Sequence, residues 1–263
     1  MTLRIATYNI RKGGRGRQRA IADVLRALDA DIAVLQEATD PRVVAWLAEA
    51  TGSAVAIGGA GRSVAILSRV PRPDGRWHAF RMGHAFAELD LADWGIRILG
   101  VHLSAGLSAR GERRRGIELE RLLEVAAQAP GPGRTVIVGD LNSISPGDIL
   151  IRAALPTWIR VLLRVDGGIG TTVVQRVLDA GFVDAFRLRN PKEPGQTMPA
   201  IAPTVRLDYV MVGPDLVPAV TACRVGEVDR SLLVAATDHV PLVVDLDLPA
   251  LGRDGPATAR WPG

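Results

Sequence analysis

The chain has 263 residues, 48% of them hydrophobic and 23% charged, which excludes a disordered chain and predicts one domain or at most two. Lys and Arg outnumber Asp and Glu by 32 to 28, a formal net charge of +4, and every basic residue except Lys12 and Lys192 is Arg. The single cysteine, Cys223, excludes an internal disulfide and a cysteine zinc site, and is expected to be a small buried residue. No run approaches the roughly 18 apolar residues of a membrane span. The opening residues, MTLRIATYNI, lack the charged and long apolar regions of a secretion signal, so the expectation is a soluble cytoplasmic chain, complete from its first residue.

Leu3 to Ile10 reads as a strand, and Arg19 to Ala30 as a helix with Ile21, Val24, Leu25 and Leu28 at helical spacing. Asp31 to Leu35 is a second strand ending in Gln36 and Glu37, and Pro41 opens a helix to about Ala50. Short strands follow at Ser53 to Ile57, Ser63 to Ser68, Ala85 to Leu91 and Gly95 to Leu103, separated by turns such as Pro-Arg-Pro-Asp-Gly. A helix from about Arg113 to Ala129 leads to the strand Thr135 to Val138, which ends in Gly139-Asp140-Leu141-Asn142. A mostly helical region to about Leu178 precedes strands at Arg206 to Val212, near Val220 to Val225, and at Val240 to Leu248. Residues 1–250 read as one domain and residues 251–263 as a flexible tail. Strands with helices in both halves predict an α/β sandwich of two packed sheets covered by helices.

Polar residues stand at the end of, or within, these apolar strands: Asn9, Glu37, His102, Asp140, Asn142, Asp208 and the pair Asp238-His239. In layered α/β folds, strand ends are where distant parts of the chain meet. Taken singly, an Asp or Asn after a strand is a turn residue, a lone His is structural, and Asp208 could pair with Arg206 or Arg224. Together they have the composition of a hard-metal phosphoester site. Mg²⁺ prefers oxygen ligands and usually takes one or two carboxylates, which Glu37 and Asp238 would supply. There is no HxxxH or cysteine cluster, no phosphate-binding P-loop and no GxSxG turn, which favours metal-assisted attack by water over covalent catalysis.

The segments ATYNI, LQE, VAILSR, VHLSA, VIVGDLNS, RLDYVMV and TDHVPLVV, in that order, resemble the endonuclease/exonuclease/phosphatase superfamily, the group similar to deoxyribonuclease I. The resemblance runs from Thr7 to about Leu246. It implies a four-layer α/β/β/α sandwich of two mixed sheets and divalent-metal-dependent hydrolysis of phosphoesters, with Mg²⁺ as cofactor and Mn²⁺ as its substitute. It implies Glu37 as the principal metal ligand, Asn9 beside it, and Asp238 binding a metal or supporting Glu37. Asp140 would orient or deprotonate the attacking water, and Asn142 would hold a phosphate oxygen. His239 would sit against the scissile phosphate with Asp208 on its other nitrogen, and His102 would contact the phosphate or assist the leaving oxygen. Whether Asp140 or His239 is the base stays open, since either can take a proton from water.

Two basic loops bear on the substrate: Arg11, Lys12, Arg15, Arg17 and Arg19 after Asn9, and Arg110, Arg113, Arg114 and Arg115 after His102. A GC-rich coding composition accounts for many Arg residues. If both loops line the site, Arg11, Lys12, Arg110 and Arg113 would hold flanking phosphates of a polyanion. VHLSA places a His where the exonuclease III branch has Tyr-Pro-Asn, so the chain looks closer to the deoxyribonuclease I, sphingomyelinase and tyrosyl-DNA phosphodiesterase branches. The leading expectation is a nuclease acting on DNA or RNA; the alternative is a phospholipid, sphingomyelin or inositol-phosphate phosphohydrolase. The segment LPTWIRVLLRV, if helical, sets Trp158 and Val161 on one face and Arg160 and Arg164 on another. It would serve as a packing helix over the sheet edge, a lid, or a contact with an anionic membrane surface.

Overall fold

The computed structural model describes residues 1–71, 74–80, 84–106, 109–128, 131–148 and 170–251. The Trp158 helix and the tail at 252–263 lie outside the described residues. The chain begins β1 (Thr2–Asn9), α1 (Gln18–Leu28), β2 (Ile32–Gln36), α2 (Pro41–Ala50), β3 (Ala54–Ile57) and β4 (Val64–Ser68). It continues with β5 (Asp74–Ala79), β6 (Ala85–Leu91), β7 (Ile96–His102), α3 (Ala109–Ala126) and β8 (Thr135–Asp140). The last part holds α4 (Thr172–Asp179), β9 (Val183–Asp184), α5 (Ala185–Arg189), β10 (Asp208–Val212), β11 (Val220–Val225), α6 (Arg230–Ala236) and β12 (Leu242–Asp247).

The strands form two six-stranded mixed sheets, ordered β11-β12-β1-β2-β4-β3 and β5-β6-β7-β8-β10-β9. Each has one parallel pair, β1 with β2 and β7 with β8, beside antiparallel neighbours. These central strands carry near-continuous apolar runs because both of their faces are covered. One apolar layer, with Ile5, Val34, Ile66, Ile98, Val136 and Val244, lies between the sheets. A second, with Tyr8, Ile21, Leu25, Val43 and Leu47, joins the first sheet to α1 and α2, and a third, with Leu99, Leu119, Leu122, Ile137 and Val174, joins the second sheet to α3 and α4. Three apolar layers between four structural ones make the α/β/β/α sandwich. Each fully buried Leu, Ile or Val contributes roughly 1.5–3 kcal/mol of transfer free energy. Cys223 is buried in the middle layer.

Local chemistry sets the helix ends. Pro41 opens α2, Asp40 accepts from the Arg42 amide at 3.0 Å as its N-cap, and Asp29 closes α1 in the left-handed region. The strand β5 falls where a Pro-Arg-Pro-Asp-Gly turn was expected; its Asp74 and Gly75 pair with Asp90 and Leu89, so tertiary pairing overrides the turn residues. The α3 helix starts four residues before the predicted Arg113, so Arg110 to Arg115 form its first turns rather than a basic loop. No helix among the described residues is long and apolar enough to cross a membrane.

Candidate active site

The polar strand ends of the two sheets come together at one edge of the sandwich. In the second sheet, Asp140 is the Cα partner of His102 on one side and of Asp208 on the other, so three side chains from β7, β8 and β10 stand in one row. In the first sheet, Asn9 at the end of β1 pairs in register with Gln36, and Glu37 follows directly. Gly139 fixes the approach of β7 to β8 just before Asp140. Its φ is +146°, and a Cβ there would lie 2.0 Å from the Val101 carbonyl oxygen, so no other residue fits.

Three side-chain hydrogen bonds cross between the sheets at this edge. Asn9 Nδ2 donates to Asp140 Oδ2 at 3.1 Å, His239 Nδ1 lies 2.8 Å from Asp208 Oδ2, and Ser63 Oγ bonds His102 Nδ1. Asp140 is further held by the Asn142 amide, which donates to Oδ1 at 2.8 Å. The Nε2 atoms of His102 and His239 both stand 3.9 Å from Asp140 Oδ2, so two imidazoles flank one buried carboxylate. Burial and then Asp208 push the Asp140 carboxyl above its ordinary range, against the pull of His239 and His102. Burial opposes a charge on His239, but the charge and hydrogen bond of Asp208 together with Asp140 and Asp238 more than offset it, and the imidazole rises to about 10. His239 is therefore an imidazolium at neutral pH in the metal-free protein.

Strain concentrates here. Arg11, Lys12, Glu37 and Asn142 all have φ between 48° and 54°, at about 1 kcal/mol or more each for non-glycine residues. The turn at Arg11 and Lys12 brings the Lys12 amide to Glu37 Oε2 at 2.6 Å and the Gly13 amide to the Glu37 carbonyl at 2.8 Å. Asn9 Oδ1 accepts the Arg11 amide at 2.9 Å, so both ends of the Asn9 side chain are used in bracing. Asn142 spends one side-chain N–H on the Leu103 carbonyl at 2.9 Å.

Asp238 pairs with Arg11 at 3.2 Å, with its side chain 30% exposed, and accepts from Thr237 Oγ1. Asp208 pairs with neither Arg206 nor Arg224; these bind Asp184 and Asp148, and Asp245, respectively. Asp140, Asp208 and His239 each bring one ligand-type atom within 4.8 Å of the others, and Asp208 Oδ1 is buried without a hydrogen-bond partner among the described residues. Since Asp208 Oδ2 already faces His239 Nδ1, this trio reads as a charge-paired chain. Of the two carboxylates expected to hold a metal, Glu37 has one oxygen on the Lys12 amide and Asp238 is shared with Arg11. Carboxylate oxygens of this kind are the donor type that hard divalent cations prefer.

Several other Arg residues of the two basic segments have structural partners. Arg15 pairs with Asp40, Arg17 donates to the carbonyls of Ala236 and Ile10, and Arg114 pairs with Glu118. Arg115 is fully buried and donates to the Ser104 and Gly106 carbonyls. Lys12, Arg110 and Arg113 are exposed, and Arg11 is at the rim. The sequence reading missed Ser63, which carries no motif, and Thr237, which donates to the Asn9 carbonyl at 2.9 Å from within the TDH segment.

Among curated proteins, none matches the chain. Solved structures do. An AP endonuclease from Archaeoglobus fulgidus superposes with a TM-score of 0.74 at 22% identity, covering 93% of this chain and 99% of that one. A 3' phosphatase from Neisseria bound to a product DNA hairpin gives 0.72 at 19% identity, covering 93% and 99%. An endonuclease/exonuclease/phosphatase protein from Beutenbergia cavernae gives 0.67 at 23%, covering 94% of this chain and 71% of that one. At these identities the likeness shows a shared fold. A sequence profile matches residues 6–239, a span that holds every strand-end residue from Asn9 to His239, and by that match the chain belongs to the Endonuclease/Exonuclease/phosphatase family.

Proposed function

We propose that this protein is a divalent-metal-dependent phosphodiesterase that cleaves nucleic acid by direct attack of water. The observation that carries the reading is the buried Asp140, braced by Asn9 and the Asn142 amide and flanked at 3.9 Å by two imidazoles. A cation such as Mg²⁺, held by Glu37 and Asp238 with Asn9 nearby, would supply charge neutralisation at a phosphate oxygen when bound. Asp140, with its carboxyl pushed up by burial, is the base: the water oxygen bonds phosphorus as its proton passes to an Asp140 oxygen. His239, charged through its pairing with Asp208, faces the phosphate through Nε2 and gives its proton to the leaving oxygen as the P–O bond breaks. Asn142 and His102 contribute donors near the phosphate.

A nucleic acid substrate is supported by the DNA hairpin of the Neisseria relative, by the AP endonuclease likeness and by the exposed cations Arg11, Lys12, Arg110 and Arg113. The test is hydrolysis by purified protein of supercoiled plasmid and a labelled single-stranded oligonucleotide, with Mg²⁺ or Mn²⁺ against EDTA, beside Asp140→Asn. Metal-dependent cleavage that Asp140→Asn lacks, weakening steeply with salt, is the expected result. Intact nucleic acid in every lane, with turnover of phospholipid or inositol phosphates, would replace this reading by the lipid or small-phosphoester alternative.

A further inference from the structure

The two histidines that flank Asp140 have different partners behind them. His239 Nδ1 faces the carboxylate of Asp208, which can only accept. His102 Nδ1 faces the hydroxyl of Ser63, which can donate or accept. Ser63 arrives there through the first sheet: it precedes β4, whose Val64 pairs with Gln36, and its carbonyl accepts from the Ala38 amide at 3.2 Å. It thus stands across from Glu37 and reaches over to β7 in the second sheet.

We propose that Ser63 is a positioning residue that holds His102 in the Nε2–H tautomer, so that this ring meets the substrate phosphate as a neutral hydrogen-bond donor. The proposal deepens, and rests on, the reading of the site as a phosphoester-cleaving centre. Ser63 is 6% exposed, and among the described residues its hydroxyl has one side-chain partner, His102 Nδ1. Were Oγ to accept from a protonated Nδ1, the Ser63 hydroxyl hydrogen would be buried without an acceptor, at the cost of an unmade hydrogen bond. Donation from Oγ to Nδ1 satisfies both groups and leaves the ring proton on Nε2. That nitrogen is the one 3.9 Å from Asp140 Oδ2, so the same tautomer also aims a donor at the buried carboxylate and at the phosphate that would lie beside it. The ring of His84 lies nearby, nearly parallel to His102 with centroids 6.3 Å apart.

The two imidazoles then do different work. With its Nδ1 occupied by the Ser63 hydroxyl, His102 presents Nε2–H to the phosphate as a hydrogen-bond donor. Proton transfer in the cleavage stays with Asp140, which receives the proton of water, and His239, which supplies the leaving oxygen. His102 lends only its N–H dipole to the charge that develops on the phosphate.

The experiment labels the protein with nitrogen-15 histidine, which reports on four residues only, and records long-range proton–nitrogen correlations in EDTA at mildly alkaline pH. His102→Gln identifies the His102 signals by their loss. The expected wild-type pattern is an unprotonated Nδ1 and a protonated Nε2 on His102. In Ser63→Ala the two nitrogens move toward tautomer-averaged positions, and in Ser63→Thr, which keeps a hydroxyl, the original pattern returns. With a cleaved phosphoester, Ser63→Ala lowers kcat about 10-fold, the worth of one hydrogen bond at the upper end of the usual range, while KM stays within about twofold and Ser63→Thr recovers most of the rate. A protonated Nδ1 in the wild type overturns the proposal, and that spectrum alone decides if Ser63→Ala fails to fold. An unchanged His102 pattern in a folded Ser63→Ala also overturns it. The expected spectra in a protein that cleaves no phosphoester would instead overturn the functional reading and leave the hold of Ser63 on the ring intact.

Discussion

Asn9 and Asp140, 131 residues apart, share a hydrogen bond of 3.1 Å that passes from the first sheet to the second. The amide of Asn9 does two jobs at once, donating to Asp140 Oδ2 through Nδ2 while accepting from the Arg11 amide through Oδ1. Asn9→Asp has nearly the same shape but sets two carboxylates face to face. The Asp140 carboxyl, already raised by burial, then moves further up, and the acid limb of the kcat profile shifts to higher pH. Asn9→Ala lowers kcat without that displacement of the limb. Comparing pH–rate profiles of the two variants separates loss of the brace from addition of the charge.

Asp140→Asn tests the base directly. The side chain keeps its size and its bond from the Asn142 amide, but cannot accept a proton from water. Turnover falls by roughly 10² to 10⁴. In EDTA stability changes little: relief of a buried carboxyl whose ionisation is disfavoured is set against the lost acceptor for Asn9 Nδ2, which the new amide meets donor to donor, so the variant melts close to the wild-type temperature. A variant that melts well below the wild type would show that Asp140 holds the fold together, against this account.

The strand-end residues were legible because each follows an apolar run that the sequence displays, and because register then delivers them together: Asp140 to His102 and to Asp208. Ser63 was not legible. A serine before a strand has no signature, and its importance comes from a contact across the two sheets that depends on the complete topology. The partners of the other basic residues were hidden for a related reason. Arg15, Arg17 and Arg115 look like free cations in sequence, yet their guanidinium groups bind Asp40, backbone carbonyls and Glu112, since Arg can satisfy several acceptors at once. The strand β5 was hidden by the prolines and glycine at its start, and β9, two residues long, has no period to detect.

The pair Asp208–His239 gives a stability signature in the metal-free protein. His239 has an ordinary value of 6.5 and stands at about 10 in the fold, so the folded state binds the proton more tightly than the unfolded one. This contribution is fully present below 6.5 and is lost as pH rises through about 10. Asp208→Asn removes the charge responsible for most of it. Melting curves in EDTA should therefore show the widest gap between wild type and Asp208→Asn near pH 6, narrowing steadily as the pH approaches 10. A gap that widens with pH would reverse the sign and place the proton elsewhere.

Arg206 anchors the loop that leaves the site. It is 2% exposed and binds two carboxylates: Asp148 with Nε at 2.8 Å and Asp184 with Nη2 at 2.6 Å. Its guanidinium lies 4.6 Å from the Tyr209 ring centroid and 5.4 Å from that of Phe186. Asp184 also caps α5 by accepting from the Phe186 and Arg187 amides, while Asp148 belongs to the loop that follows Asn142. Arg206→Met keeps much of the packing but leaves both carboxylates without this partner, and a broken buried pair of this kind costs about 3–5 kcal/mol. Asp148 retains Arg187, so the loss is expected at the lower end of that range. Arg206→Lys keeps the charge but cannot span two carboxylates with a planar fork, so it recovers only part of the stability. Urea denaturation of the three proteins measures the order, wild type above Lys above Met. If Lys equals wild type, the fork geometry is irrelevant and net charge alone secures the loop.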